Sequence, residues 1–132
     1  MSVKVIRALL LGADAVTARV ADRIAAGDVA VDKGLPAIGV SEVVTVPIGA
    51  FDAQAEYSLV TSRVQVTVVG KPYPDVEAIV TLVRRACNFE RGQIAGFDVI
   101  SIVRDTVGPD MSGPNNISIK TIDFKVTYHE PN

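Results

Sequence analysis

The stretch spanning residues 62–88, SRVQVTVVGKPYPDVEAIVTLVRRACN, constrains the fold more than any other part of the chain. Its first half alternates valines with polar residues, which is typical of a strand that buries one face. The valines on that face are Val64, Val66 and Val68. Pro72 and Pro74 then end the strand and open a helix, and Asp75 suits the positive end of the helix dipole. The helix has an apolar stripe of Val76, Ile79, Val80, Val83 and Ala86.

The N-terminal quarter of the chain predicts helical structure followed by a loop. In residues 3–11 and 14–24 the apolar side chains recur at gaps of three and four, as in an amphipathic helix. Gly12 and Asp14 leave two possibilities open, one kinked helix or two short ones. Residues 25–36, AAGDVAVDKGLP, contain two glycines, two aspartates and a proline, so we predict a loop there.

Three further strands are predicted around the central strand and helix. Residues 37–46 are rich in β-branched side chains, and a ten-residue hairpin loop, PIGAFDAQAE, follows them. GFDVISIV predicts a strand after the helix, and ISIKTIDFKVTY predicts the last one. In that last strand the apolar alternation slips by one residue near Lys120 and Thr121, for which we predict a β-bulge.

This order of elements predicts an α+β fold. We expect a two-layer sandwich, with a mixed and mostly antiparallel sheet of about four strands and helices packed on one face. At 132 residues the chain is expected to form one domain, residues 1–132. We find no internal repeat and no linker composition that would divide it.

The composition excludes some classes of function and leaves an apolar surplus. Hydrophobic residues make up 48% of the chain, but the apolar runs are much shorter than the roughly 20 residues of a membrane span. The N-terminus continues a helical pattern with charges, so we do not expect a signal peptide. A net charge of −2 argues against a dedicated basic face for nucleic acid. The surplus apolar side chains belong either in the core or in contacts between subunits.

The motifs give little sign of chemistry. Gly70 and Lys71 follow a strand, but the glycine spacing and the hydroxyl residue of a phosphate loop are missing. The only histidine, His129, is predicted to be solvated, and the only cysteine, Cys87, is predicted to be a buried apolar side chain. The aspartates are scattered singly. We therefore expect no catalytic, cofactor or metal site.

The two long predicted loops are more informative. The first places Ile48, Ala50 and Phe51 at a hairpin tip, where they either fold back as a local plug or pack on a neighbouring subunit. The second, GPDMSGPNN, is polar, and is either mobile or ordered by assembly.

Several of these segments, taken in order, resemble those of a known group of proteins. They are ADRIAAG and LPAIGVSE, the RVQVTVV strand before the PDVEAIVTLVRRA helix, GFDVISIVRD, and the closing KTIDFKVTYHE strand. In their order and over nearly the whole length, the chain resembles the tail-terminator and tail-completion proteins of long-tailed phages, prophages and gene-transfer particles. The resemblance implies a mixed sheet flanked by helices, no catalytic residue, and a hexameric ring.

The resemblance also implies partners and a location. Such a ring caps the tail tube, ends its polymerisation and offers the docking surface for the head connector, while DNA passes through its lumen without specific binding. It lies in the neck region of the virion tail and is assembled in the host cytoplasm. By loop position, subunit or tube contacts are expected at Ile48, Phe51, Asp52, Asp110 and Met111. The alternatives are another head–tail connector or tail-completion component, and a small α+β ligand-binding domain or enzyme.

Overall fold

The computed structural model describes residues 2–29, 34–49 and 57–131. In these residues three α-helices accompany a seven-stranded mixed sheet that curls into a half-barrel. The helices are α1 (Ser2–Leu11), α2 (Asp14–Val20) and α3 (Tyr73–Cys87). The strands are β1 (Ile24–Ala26), β2 (Ala37–Gly49), β3 (Tyr57–Gly70), β4 (Gly92–Ile94), β5 (Phe97–Val107), β6 (Met111–Ser112) and β7 (Ser118–Pro131).

The sheet has the order β1-β2-β3-β7-β5-β4, and β6 pairs with β7. β1 pairs with β2 in parallel, and the other pairings are antiparallel. The α+β class and the mixed, mostly antiparallel sheet are confirmed. The expected number of about four strands is too low, because β1, β4 and β6 are only two or three residues long. Strands this short cannot show a period of two in the sequence.

The core lies between the helices and one face of the sheet. Alternate side chains of β3 and β7 are fully buried there, and Val76, Ile79, Val80 and Val83 of the α3 stripe are buried with them, while Ala86 is partly buried. The buried strand residues are Val64, Val66, Val68, Ile122, Phe124, Val126 and Tyr128. The intervening residues of β3, such as Thr61 and Gln65, are polar and only partly covered. The alternation in the sequence therefore predicts correctly which side of β3 meets the helices.

Helix α3 forms as the sequence predicts. Pro72 caps it in an extended conformation, Pro74 lies in its first turn, and Asp75 and the pair Arg84 and Arg85 complement its two ends. The N-terminal pattern resolves into two helices, of which α2 ends at Val20, earlier than expected. Residues 24–26, predicted as the end of the helix and the start of a loop, instead form β1 along β2.

The predicted β-bulge in the last strand is wrong. β3 and β7 pair without a register shift, from Tyr57 opposite Pro131 to Gly70 opposite Ser118. The slip in the apolar pattern is instead a change of buried face, because Ile119 lies on the side opposite to Ile122. The register shifts of this sheet lie in β2 and β5. The extra residues at these shifts are Val43, Ile48, Ile100 and Asp105.

The hairpin between β2 and β3 is shorter than predicted. β2 continues to Gly49, so Pro47 and Ile48 belong to a strand and not to a ten-residue loop. Proline is confined to edges and bulges of sheets, and Pro47 fits both: a register shift lies between Pro47 and Gly49, and among the described residues β1 pairs only with residues 38–40 of β2. The tip, with the predicted contacts Phe51 and Asp52, lies outside the described residues.

Candidate functional site

The turn between β3 and α3 carries a polar cluster that links it to the segment between β5 and β7. The Tyr73 hydroxyl oxygen lies 2.7 Å from Asp110 Oδ2 and 2.9 Å from Glu77 Oε1, so its single proton is shared between the two carboxylates. Lys120 Nζ lies 3.1 Å from Asp110 Oδ1 and 3.4 Å from Glu77 Oε1. The same ammonium lies 5.8 Å from the centroid of the Tyr73 ring. These contacts hold Asp110 against the start of α3, so the turn between β3 and α3 serves to anchor the segment that carries Asp110.

The contacts of the cluster perturb the pKa of Tyr73, Asp110 and Lys120 in the expected directions. The hydrogen bond to Asp110, then that to Glu77, raises the pKa of Tyr73 to about 12. The Tyr73 and Lys120 hydrogen bonds lower the pKa of Asp110, and the hydrogen bond to Asp110 raises the pKa of Lys120. Because these shifts keep Tyr73 neutral, Asp110 ionised and Lys120 protonated near neutral pH, the cluster is suited to anchoring a loop.

Cys87 is buried in the core, whereas the His129 side chain is partly exposed. Cys87 is buried as predicted, and burial raises the pKa of its thiol to about 12. His129 lies in β7 between β3 and β5, with Nε2 3.8 Å from Asp98 Oδ2.

In the part of the chain that the structure describes, no group of three or more His, Cys, Asp and Glu side chains could hold a metal ion. No helix among those residues is long and apolar enough to cross a membrane.

The predicted contact residues that the structure describes are Ile48, Asp110 and Met111, and they lie at two opposite ends of the sheet. Ile48 is 55% exposed and is the extra residue of a register shift near the hairpin end of β2. Met111 is exposed in β6 opposite Ile119, which pairs with Val69 at the far end of β3. Along β3, about 30 Å separates these two ends at ~3.4 Å per residue. The structure therefore brings Asp110 and Met111 together and places Ile48 far from both.

An exposed apolar surface follows the free part of β2. We call it the β2 edge, and it comprises Val43, Val44, Val46 and Ile48. β1 pairs only with residues 38–40 of β2, so among the described residues this later part of β2 has a strand neighbour on the β3 side alone. The sequence predicts the strand but not its exposure. Pro47 is the one signal for an edge, because proline is confined to edges and bulges.

Glu42 is fixed beside the β2 edge by three hydroxyl groups. Its Oε1 accepts hydrogen bonds from Ser2 Oγ at 2.9 Å, from Ser62 Oγ at 3.1 Å and from the Thr45 hydroxyl. The Thr45 hydrogen bond, assisted by those from Ser2 and Ser62 and opposed by burial, lowers the pKa of Glu42. Glu42 pairs with Val64 on the core side of β2, so these hydrogen bonds tie α1 to β2 through Ser2.

A second exposed apolar surface lies at the other side of the sheet. We call it the β5 edge, and it comprises Phe89, Ile100 and Val103. These side chains line one shallow recess of about 390 Å³ together with Arg91. Phe89 is 79% exposed and has a positive φ of 68°, a conformation that is rare for a bulky residue. Its amide donates to Ile102 O at 2.8 Å, and this contact fixes the turn that presents the ring to solvent.

The sheet face away from the core carries a charged row. Arg63 lies 2.9 Å from Asp123 Oδ2 and 3.2 Å from Asp105 Oδ2, and Lys125 lies 3.8 Å from Asp105 Oδ1. Asp123 is only 7% exposed, so Arg63 supplies the charge partner that its burial requires. The positive and negative charges balance along this row, so this face of the sheet has no strong net charge.

The fold has a counterpart in a solved structure. A chain in the virion of a native gene transfer agent particle aligns with a TM-score of 0.69 and 14% sequence identity. The alignment covers 98% of this chain and 97% of that chain. The sequence matches no protein-family profile, and a search of curated proteins gives no match. The chain therefore shares its fold with a gene-transfer-agent virion chain along nearly the whole length of both.

Proposed function

We propose that this chain is a structural virion protein, specifically a tail terminator. A hexameric ring of this protein caps the tail tube, ends tube polymerisation and presents the docking surface for the head connector. The observation that carries the proposal is the fold shared over 98% of the chain with a chain of a gene-transfer-agent virion. The resemblance of the sequence to tail-terminator proteins implies the same role.

The distribution of exposed residues suits a ring with two working faces. The hairpin end of the sheet, with Ile48 and with Phe51 and Asp52 in the sequence beyond it, supplies contacts to the tube or to a neighbouring subunit. The opposite end, with Asp110 and Met111, supplies the other face. In this arrangement the turn between β3 and α3 is scaffold, since its polar cluster fixes Asp110 at the second face.

The proposed role requires no reaction. The titratable groups of the turn hold one another, and Cys87 is buried with a raised pKa that keeps its thiol protonated. The net charge of −2 suits a lumen through which DNA slides, because binding to phosphates depends on clustered Lys and Arg side chains. In the particle, the protein would occupy the neck region of the tail after assembly in the host cytoplasm.

The proposal is tested by the growth of tail tubes in vitro. Tail-tube protein is polymerised with and without this chain, and tube lengths are measured by negative-stain electron microscopy. A terminator shortens the tubes in proportion to its concentration and appears as a cap at one end. Tubes of unchanged length without caps would refute the terminator role. Binding to an isolated head connector without any effect on tubes would favour a different head–tail component.

Phe51 provides a specific variant for this assay. Phe51→Asp replaces an apolar side chain of the predicted hairpin tip with a charged one. It should abolish capping and leave the far-ultraviolet circular dichroism spectrum unchanged. The matched control is Leu11→Asp, which alters an apolar side chain 37% exposed at the end of α1. Normal capping by Phe51→Asp would remove the hairpin tip from the contact surface.

A further inference from the structure

The first residues of β7 have a neighbouring strand on their second side only because of β6. The pairing of β5 with β7 ends at Val107, short of residues 118–121 at the start of β7. Among the residues that the structure describes, the only strand on that side of residues 118–121 is β6, in which Met111 pairs with Ile119. A strand edge with free N–H and C=O groups readily adds a strand of another chain. We call residues 108–113, which contain β6 and cover this edge, the strap.

Two backbone hydrogen bonds fasten the ends of the strap to β7. Gly108 N donates to Thr121 O at 2.8 Å, and Gly113 N donates to Ile117 O at 2.9 Å. Because alternate residues of a strand direct their N–H and C=O groups to the same neighbour, Ile119 also faces the strap. Gly108 lies so close to β7 that a Cβ at this position would collide with Thr121 Oγ1. The strap is therefore seated on the backbone of β7 at both of its ends.

Between these ends, the side-chain contacts of the strap are made by Asp110. Its Oδ2 lies 2.7 Å from the Tyr73 hydroxyl oxygen, and its Oδ1 lies 3.1 Å from Lys120 Nζ. Residues 109–112 are all exposed, so the strap buries no large apolar side chain. Exposed charged contacts add little stability, and segments with few buried apolar contacts open locally at low cost. The strap should therefore open far more readily than the sheet that it covers.

We propose that the strap opens as one unit between Gly108 and Gly113, that Asp110 is the latch that keeps it closed, and that opening bares the edge of β7 at residues 117–121. Lys120 belongs to β7, so the latch joins the strap directly to the strand that it covers. The closed strap keeps the subunit from pairing by this edge with another extended chain. The device consists of contacts within one subunit, so it does not depend on the proposed tail role.

Hydrogen exchange followed by mass spectrometry measures the opening of the strap. Each protein is studied alone at the same low concentration, and exchange is compared between the strap, residues 117–121 and the centre of the β3–β7 pair. Asp110→Ala removes the latch. Asp98→Ala is the matched control, because Asp98 is also an exposed aspartate and lies 3.8 Å from His129 Nε2, near the other end of β7.

In the wild-type protein the strap and residues 117–121 should exchange together, roughly 100-fold faster than the centre of the sheet, because a local opening needs less free energy than global unfolding. Asp110→Ala should speed the exchange of both segments a further ~5-fold, as expected for the loss of exposed contacts, and leave the centre of the sheet unchanged. Asp98→Ala should leave both segments as in wild type. Tyr73→Phe should act like Asp110→Ala, and combining the two should give no further increase, because they remove the same contact.

Four results would overturn the proposal. A strap that exchanges as slowly as the centre of the sheet does not open by itself. If only the strap exchanges rapidly and residues 117–121 stay protected, opening does not bare the edge of β7. If Asp110→Ala changes nothing, or changes no more than Asp98→Ala, Asp110 is not the latch. If Asp110→Ala speeds exchange throughout the sheet, the residue supports the whole fold. The proposed function is unaffected by each of these results, since the growth of tail tubes tests it separately.

Discussion

Replacing Glu42 with alanine tests whether the hydroxyl cluster fastens α1 to β2. The substitution removes the acceptor of three hydrogen bonds from Ser2, Thr45 and Ser62. Thr45 and Ser62 can bond each other, since their hydroxyl oxygens lie 2.8 Å apart, so Ser2 is the donor left without a partner in its buried position. A buried donor left in this way costs about 1–3 kcal/mol. Glu42 itself is exposed, so solvent screens its charge and the unpaired Ser2 donor accounts for most of the effect. We therefore expect the free energy of unfolding to fall by about 2 kcal/mol.

Urea unfolding followed by circular dichroism measures this loss. We expect the midpoint to fall with no change in the slope, and the melting temperature to fall by roughly 8 °C for a chain of this length. Glu42→Gln retains an acceptor oxygen without the charge and should lose about half as much. The control is Glu90→Ala, an exposed glutamate, which should change stability by less than about 0.5 kcal/mol.

The pH dependence of the stability difference between wild type and Glu42→Ala tests the same reasoning. The folded pKa of Glu42 is lowered from its ordinary value of 4.5, so its contribution to stability is present above that value. The contribution is lost as the pH falls through the folded pKa. The difference between wild type and Glu42→Ala should therefore shrink in acid. A difference that is the same near pH 7 and near pH 3, or a cost no greater than that of Glu90→Ala, would refute the reasoning.

Three further predictions concern the core, the turn and the thiol. Phe124→Ala removes a fully buried ring and should cost about 3–5 kcal/mol in urea unfolding, and a cost under about 1 kcal/mol would contradict its central place in the core. Asp110→Asn should return the pKa of Tyr73 from about 12 toward 10, as followed by NMR titration of the tyrosine ring carbons, and an unchanged pKa would show that the contact is not formed in solution. Cys87 should react with a thiol-specific disulfide reagent only when the protein unfolds, and rapid reaction of the native protein would show that the thiol is accessible.

The long, regular elements could be predicted because each repeats a pattern over many residues. The alternation at Val64, Val66 and Val68 identifies β3 and its buried face, and the spacing from Val76 to Val83 identifies α3. β1, β4 and β6 could not be predicted, since each is held by pairing with a long neighbour and not by a pattern of its own. Secondary structure of this kind is decided by tertiary contacts.

The candidate site was harder to predict than the fold. A slip in the alternation near Lys120 has two explanations, a bulge or a change of buried face, and the sequence does not separate them. The extra residues Val43 and Ile100 are apolar, so composition alone assigns them to the core. Only the pairing of β2 and β5 with their neighbours shows that they are exposed. Asp110 was predicted as a loop contact, but its bond to Tyr73 depends on a distant turn.

The most direct test of the central claim is native mass spectrometry of the purified protein over a range of concentrations, alone and with tail tubes. The account predicts a species of six subunits of 14.0 kDa each, formed by the protein alone or recruited by the tubes. A protein that remains a monomer at every concentration and is indifferent to tubes would contradict the account.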